Sequence, residues 1–568
     1  MNFKLVRKIS LVGITLFFPF FVHATILDFN VDPSYDYAGR EKVTAFIYQI
    51  GTNAYFFVEQ DYYDKLTIEK KQEFSDNIKE LSQEFDAVIY PKITGFYGSE
   101  WKSGIDKDNI ITVLLTQIKG ENGGYFNPAD EYPVAQSPTS NEKEMVYLNV
   151  AYVTDKAATK AYLAHELVHL ITFNQKERIH GVQEETWLNE MRAELAPFLL
   201  GYYDDYQGSI LQRRVRDFAQ KPNDSLTEWS NSFSDYGSVS LFGHYFLENY
   251  GIKVLKDSLA SDRVGIPSLE EALKNNSFNK SFFRIFSDWL VAVFVNDCSL
   301  RQYYCYSNQN LKNLRIVPQL NYLPSVGEST LTVTDYSKDW SGSWVKFIGG
   351  KGTLKLDFIG EEKANYIVPY ILQDKDGNYS VSFLDLGKSE RGTVYISDFG
   401  TKYSSLTMIP SLYQKLSGFS GIESYHQFIW SASVINNNSE ENEELIQQLL
   451  VQIEYLKAEI IKIQAKIAAI LGQKDQTVIA CRGFNKDLGV GSTDNTEVRC
   501  LQEFLKNQDP DIYPAGLVTG NFLSLTREAV IRFQNKYAEE ILIPLGLEQG
   551  TGYFGQKTRE MANKLIHK

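Results

Sequence analysis

His165-Glu166-Leu167-Val168-His169 is the stretch of this 568-residue chain whose residue types and spacing most plainly permit chemistry. On a helix, side chains four apart share one face, so two imidazoles can approach one metal ion with the glutamate beside them. Zn2+ suits imidazole and carboxylate ligands, takes three protein ligands in a catalytic site and leaves one position for water. Glu166 then stands where a general base is needed. It would take a proton as water attacks a carbonyl carbon, and deliver it to the leaving amine. Tyr162, Leu163, Leu167, Val168, Leu170 and Ile171 carry no charge, as a helix buried beneath a cleft requires.

The third ligand decides the subclass. A metzincin pattern needs glycine at position 172 and histidine at position 175, but Thr172 and Gln175 stand there. Downstream, Trp187-Leu188-Asn189-Glu190-Met191-Arg192-Ala193-Glu194 lies on an expected helix. An asparagine-glutamate pair with an acidic residue four further on resembles the gluzincin clan of zinc metallopeptidases. The string from Ala164 to Ala196 is most similar to its hyicolysin-type branch. The resemblance implies a thermolysin-like fold and peptide-bond hydrolysis, with Glu190 as third zinc ligand beside His165 and His169. It also implies that Glu194 and Asn189 lie just outside the ligands, Glu194 orienting an imidazole N–H. Glu184 or Glu185 remain alternatives to Glu190, since both begin the same helix. His180 reads as a loop histidine. Gluzincins supply a tyrosine or histidine from a later helix to stabilise the oxyanion, and Tyr236 and His244 are the candidates, Tyr236 preferred because it opens its helix.

These residues must be positioned by elements that the pattern also suggests. From residue 25 to about residue 315, strand-like runs (Val43–Ile50, Ile110–Leu115, Val146–Val150) mix with helices at Ile68–Phe85, Lys156–Asn174, Glu185–Leu200 and Tyr236–Tyr250, an α+β catalytic domain. Gly123-Gly124-Tyr125-Phe126 is expected to form an upper lip of the cleft, where an extended substrate adds to a sheet edge. From 320 to 435, short β-branched and aromatic runs separated by Gly, Asp, Asn and Ser predict a β-sandwich module. Ile446, Leu449, Ile453, Leu456, Ile460, Ile463, Ile467 and Ile470 alternate at steps of three and four, predicting a coiled coil at 439–472 and, through it, a homo-oligomer.

The last segment, 478–568, contains a repeat. Thr519-Gly520-Asn521-Phe522 recurs as Thr551-Gly552-Tyr553-Phe554, and Thr526-Arg527 as Thr558-Arg559. Together with Leu501-Gln502 and Phe533-Gln534 this resembles the peptidoglycan-binding domain one family, which implies a small all-α module with peptidoglycan or the cell wall as its partner.

The N-terminus predicts an exported chain. Lys4, Arg7 and Lys8 precede an uncharged run from Ile9 to Val22, and Val22-His23-Ala24 fits a cleavage site, so residues 1–24 read as a signal peptide. The run is shorter than the roughly 20 residues of a spanning helix. In an exported chain, Cys298 with Cys305 and Cys481 with Cys500 are expected as disulfides rather than metal ligands. A net charge of -14 argues against nucleic acid as a partner. The expectation is therefore a secreted or wall-associated, zinc-dependent endopeptidase acting on protein or peptide. Two other readings stay open: a hydrolase of the peptide stem of peptidoglycan, and a wall-bound structural or adhesive protein with a dead site. Retention of Glu166 and of every candidate ligand counts against the last.

Overall fold

A computed structural model describes residues 25–203, 205–324, 330–435, 453, 481–492 and 495–566. The expected signal peptide at 1–24 lies outside the described residues, as does the expected coiled coil at 439–472 apart from Ile453. The architecture is multidomain, with helices and large β sheets, and it divides into two compact units, Met1–Asn437 and Asn438–Lys568.

The first unit opens on a six-stranded sheet. Its strands are β1 (Ile26–Asn30), β2 (Lys42–Ile50), β3 (Ala54–Glu59), β4 (Ile111–Thr116), β5 (Gly124–Tyr125) and β6 (Met145–Asn149), in the order β1-β2-β3-β4-β6-β5. β3, β4 and β6 run parallel, and β5 is the antiparallel edge. Alternation splits each central strand between two cores. Phe56, Val58, Val113, Leu115, Val146 and Leu148 face the helices, whereas Phe57, Leu114 and Tyr147 face a smaller cluster with Phe29 and Val43. Both faces are covered, which is why β4 is buried at every position.

Against the helical face pack α1 (Gln60–Asp64), α2 (Ile68–Glu84), α3 (Tyr90–Tyr97) and α4 (Lys156–Thr172), which carries the histidine motif. Asp155 caps α4 by accepting from Ala158 N, and the helix runs into a π turn over Phe173–Arg178. Next come α5 (Thr186–Leu199) and α6 (Ile210–Gln220), then α7 (Phe233–Tyr250), begun by a capping box between Ser232 and Asp235. Helices α8 (Ile252–Leu259), α9 (Gly265–Asn275) and α10 (Phe282–Val295) complete the set. Cys298 and Cys305 form a disulfide just beyond α10.

Residues 319–435 form two sheet layers. One holds Gln319–Leu323, Val345–Gly349, Tyr403–Met408, Pro369–Asp374 and Tyr379–Phe383; the other holds Thr330–Ser337, His426–Ile435, Gly352–Gly360 and Arg391–Phe399. A single parallel pairing, Phe399 with Tyr403, joins them. The core between them includes Phe347 and Trp430, whose rings meet at 5.0 Å. These layers do not stand off as a spacer. Trp340 is fully buried among Phe282 and Phe286 of α10, Trp344 Nε1 donates to Leu290 O, and Lys338 pairs with Glu228 at 2.5 Å in a buried bridge. The helices and the layers share one apolar core.

The second unit has its own core, around Phe484, Leu501, Phe504, Val530, Phe533 and Phe554. Its repeat is realised in hydrogen bonds. Gln502 accepts from Thr519 N and Gly520 N, and donates to Asn521 O and Thr526 Oγ1. Gln534 repeats the pattern, accepting from Gly552 N and donating to Tyr553 O and Thr558 Oγ1. Glycine is required at both turns, since Gly520 and Gly552 hold φ of 79° and 77°. Cys481 and Cys500 are bonded.

Candidate metal centre

The exposed-to-buried gradient of α4 turns one face of its C-terminal half toward a cleft of about 580 Å³. His165 and His169 stand on that face, and Glu190 reaches them from α5, which packs alongside. His165 Nε2 and His169 Nε2 are 3.1 Å apart, and Glu190 Oε2 lies 3.4 Å from the first and 3.7 Å from the second. Ligand atoms on a tetrahedral zinc with bonds of 2.0–2.2 Å stand about 3.3–3.6 Å apart. The three donor distances, 3.1, 3.4 and 3.7 Å, bracket that spacing. Glu190 Oε2 is buried with no hydrogen-bond partner, a costly state for a carboxylate oxygen unless a cation faces it. Among the described residues, this is the one group of three such side chains able to hold a metal.

The surrounding contacts hold the imidazoles in place. Asn189 Oδ1 is 3.1 Å from His169 Nδ1, and Glu194 Oε1 is 3.7 Å from His165 Nδ1. Glu194 is itself gripped by Arg214, whose Nε and Nη2 donate at 2.8 and 2.7 Å. Arg214 also lies 4.5 Å above the Tyr236 ring. Nothing in the sequence singles out Arg214. Its only signal was one arginine in Arg213-Arg214-Val215-Arg216, which reads as a solvated face of a helix.

Electrostatics couple these groups. Burial draws the pKa of His165 down, but the Glu190 carboxylate 3.4 Å away and the charges of Glu166 and Glu194 outweigh it and raise it to about 9. Burial lowers His169 and pushes Glu166 up to about 8. Glu190 is pulled up by burial and brought below its usual range by His169 and His165.

Glu166 is buried at the cleft and stands outside the three-donor group. Its neighbour across the cleft is β5. A Cβ on Gly124 would come within 3.0 Å of Glu166 Cγ and 2.5 Å of Tyr147 O, and one on Gly123 would strike the Tyr162 ring. The two glycines let this edge strand lie directly over α4, and its far edge is unpaired in the sheet.

Glu184 and Glu185, the other acids at the start of α5, are taken up by other partners. Glu184 accepts from Arg192 at 2.7 Å and from Gly265 N, while Glu185 accepts from Trp187 Nε1 and Gly418 N. His244 is fully buried against Phe198, both ring nitrogens unpartnered, and burial lowers its pKa to about 4. Tyr236 lines the cleft, its hydroxyl donating to Asn231 Oδ1 at 3.1 Å; it sits inside the first turn of α7, which opens three residues earlier at Phe233. Burial, reinforced by Glu190, raises its pKa far above the ordinary phenol value. A second phenol, Tyr35, also lines the cleft, stacked on Tyr125 at 4.6 Å. Burial and the charges of Glu166 and Glu190 raise its pKa. No motif in the sequence pointed to it.

No protein-family model and no curated protein matches the chain. Among solved structures it is similar to a mitogen from Yersinia pseudotuberculosis, at 9% identity and a TM-score of 0.15, over 20% of this chain and 94% of that one. It is similar to the pre-peptidase C-terminal domain of a Bacillus anthracis collagenase, at 8% identity and a TM-score of 0.14, over 20% and 96%. A periplasmic inhibitor of g-type lysozyme from Aeromonas hydrophila gives 6% and 0.14 over 21% and 98%. Likenesses this slight carry no argument about the chain.

Proposed function

We propose that this chain is an exported, zinc-dependent endopeptidase with a zincin-type catalytic part, held at the cell wall by its C-terminal unit. The carrying observation is the convergence of His165, His169 and Glu190 at tetrahedral spacing in the cleft, with Glu166 beside them and free of ligand duty. Bound there, zinc would polarise a peptide carbonyl and bring the pKa of water toward neutrality. Glu166 takes the proton of the attacking water and returns it to the leaving amine. The open edge of β5 offers backbone N–H and C=O groups to an extended substrate, aligning the scissile bond over α4. Tyr236 is assigned to the oxyanion, with its phenol held in the cleft by Asn231 and Arg214.

The signal-peptide pattern at 1–24 supports export, and the resemblance of 478–568 to a peptidoglycan-binding module supports anchoring at the wall. The heptad run at 439–472 supports self-association. Metal analysis of the purified protein should find about one zinc per chain. Glu166→Gln should retain that zinc and lose digestion of casein, with purified peptidoglycan run in parallel to test the stem-peptide alternative. Correctly folded protein without stoichiometric zinc refutes the reading.

A further inference from the structure

We infer that the strap at 413–425, which leads from Ser411–Leu412 into the strand His426–Ile435, is a positioning element of the metal centre, acting through Glu185 on α5 and through Trp229 on Tyr236. The inference rests on the zinc-peptidase reading for its kinetic and zinc-affinity parts.

The strap is stiffened from within. Lys415 N donates to Asp339 Oδ1, Lys415 O accepts from Trp340 Nε1, and Lys415 Nζ pairs with Glu423 at 2.7 Å. It then meets the helical part at three points, one at the N-cap of α5 and two in the segment that precedes α7. Gly418 N donates to Glu185 Oε1 at 2.8 Å. Trp229 N donates to Gly421 O at 3.3 Å, and Glu423 N donates to Glu228 Oε2 at 2.8 Å.

Two of these points lead directly to the site. Glu185 occupies the N-cap position of α5 without capping the helix. Its second oxygen instead accepts from Trp187 Nε1 at 2.8 Å, inside the first turn of the helix that carries Asn189, Glu190 and Glu194. Gly265 leaves room for it, since a Cβ there would fall 2.1 Å from Glu185 Oε2. A doubly hydrogen-bonded, mostly buried carboxylate therefore fixes where α5 begins, and with it the reach of Glu190 toward the histidines. The Trp229 ring meets Tyr236 edge-on at 4.9 Å, setting the phenol opposite Arg214. Neither Glu185 nor Trp229 is a ligand or a catalytic residue.

Glu185→Ala and Glu185→Gln in the full chain test this, followed by hydrogen exchange over 186–194, zinc affinity by chelator competition, and kcat and KM on a peptide. Glu185→Ala should speed exchange in α5 at least tenfold while leaving α10 unchanged, and should lower zinc affinity ten- to a hundredfold. Glu185→Gln can accept only one of the two hydrogen bonds and should fall between. Trp229→Ala, which removes the ring against Tyr236, should lower kcat with zinc retained, and Trp229→Phe, which keeps an edge-on ring, should restore most of it. Exchange and zinc affinity like wild type in Glu185→Ala, or equal acceleration in α5 and α10, would overturn the inference. If the wild type holds no zinc yet α5 loosens selectively, the strap's role stands and the peptidase reading fails.

Discussion

Arg214→Met isolates the contribution of a side chain that touches neither the metal donors nor the substrate edge. Arg214 and Glu194 form a two-bond ion pair with side-chain exposures of 15% and 3%, so both charges are largely out of water. Methionine keeps the apolar stem of arginine and removes the guanidinium. Breaking a buried pair by deleting one partner costs about 3–5 kcal/mol, because the remaining charge stays desolvated. Loss of the guanidinium over Tyr236 adds roughly 0.5–2 kcal/mol. Some of this is recovered if Glu194 moves from its present 3.7 Å onto His165 Nδ1. That movement would displace the His165 imidazole relative to His169 and Glu190 and weaken metal binding. Zinc affinity should drop by about ten- to a hundredfold, the range for removing a group that orients a metal-binding histidine. Arg214→Lys, with charge but no fork, should lie between. Chelator competition measures the affinity and urea unfolding of the metal-free protein measures stability. Zinc affinity within twofold of wild type, with less than about 1 kcal/mol lost, would show that the Glu194–Arg214 pair is irrelevant to the centre.

Glu190→Ala should abolish stoichiometric zinc with the fold intact by circular dichroism. Glu184→Ala should instead lose about 3–5 kcal/mol of stability with its zinc retained, because Arg192 and Lys176, both 0% exposed, lose their carboxylate; zinc loss there would reverse the ligand assignment. A chain ending at Arg315 should fail to fold cooperatively, since it uncovers the α10 face now covered by Trp340 and Trp344; a sharp melting transition at wild-type temperature would contradict that. In the 478–568 fragment, Gln502→Ala should cost about 4 kcal/mol and Gln534→Ala about 3 kcal/mol, at roughly 1 kcal/mol for each principal hydrogen bond, read from urea midpoints.

Local pattern made part of this protein legible. The spacing of His165 and His169 puts both on one helical face whatever surrounds it, because that face is set by 3.6 residues per turn. The same holds for Glu190 and Glu194, four apart on α5, and the structure brings that face to the histidines, with Asn189 reaching His169 from its flank. The repeat at Thr519 and Thr551 was visible as residues, Gln502 and Gln534 included, though not that each turn closes upon one of those glutamines. Tertiary structure alone decided the rest. Glu184, Glu185 and Glu190 are equivalent by type and near neighbours in sequence, and only packing sends the first to Arg192, the second to Gly418 and the third to the histidines. The Glu185 contact spans 233 positions, a separation at which no periodicity survives. Arg214 and Tyr35 became visible for the same reason. A charge on a helix and an aromatic in a loop acquire meaning from what faces them, and that is fixed by how α6 packs on α7 and how the segment after β1 folds over the cleft.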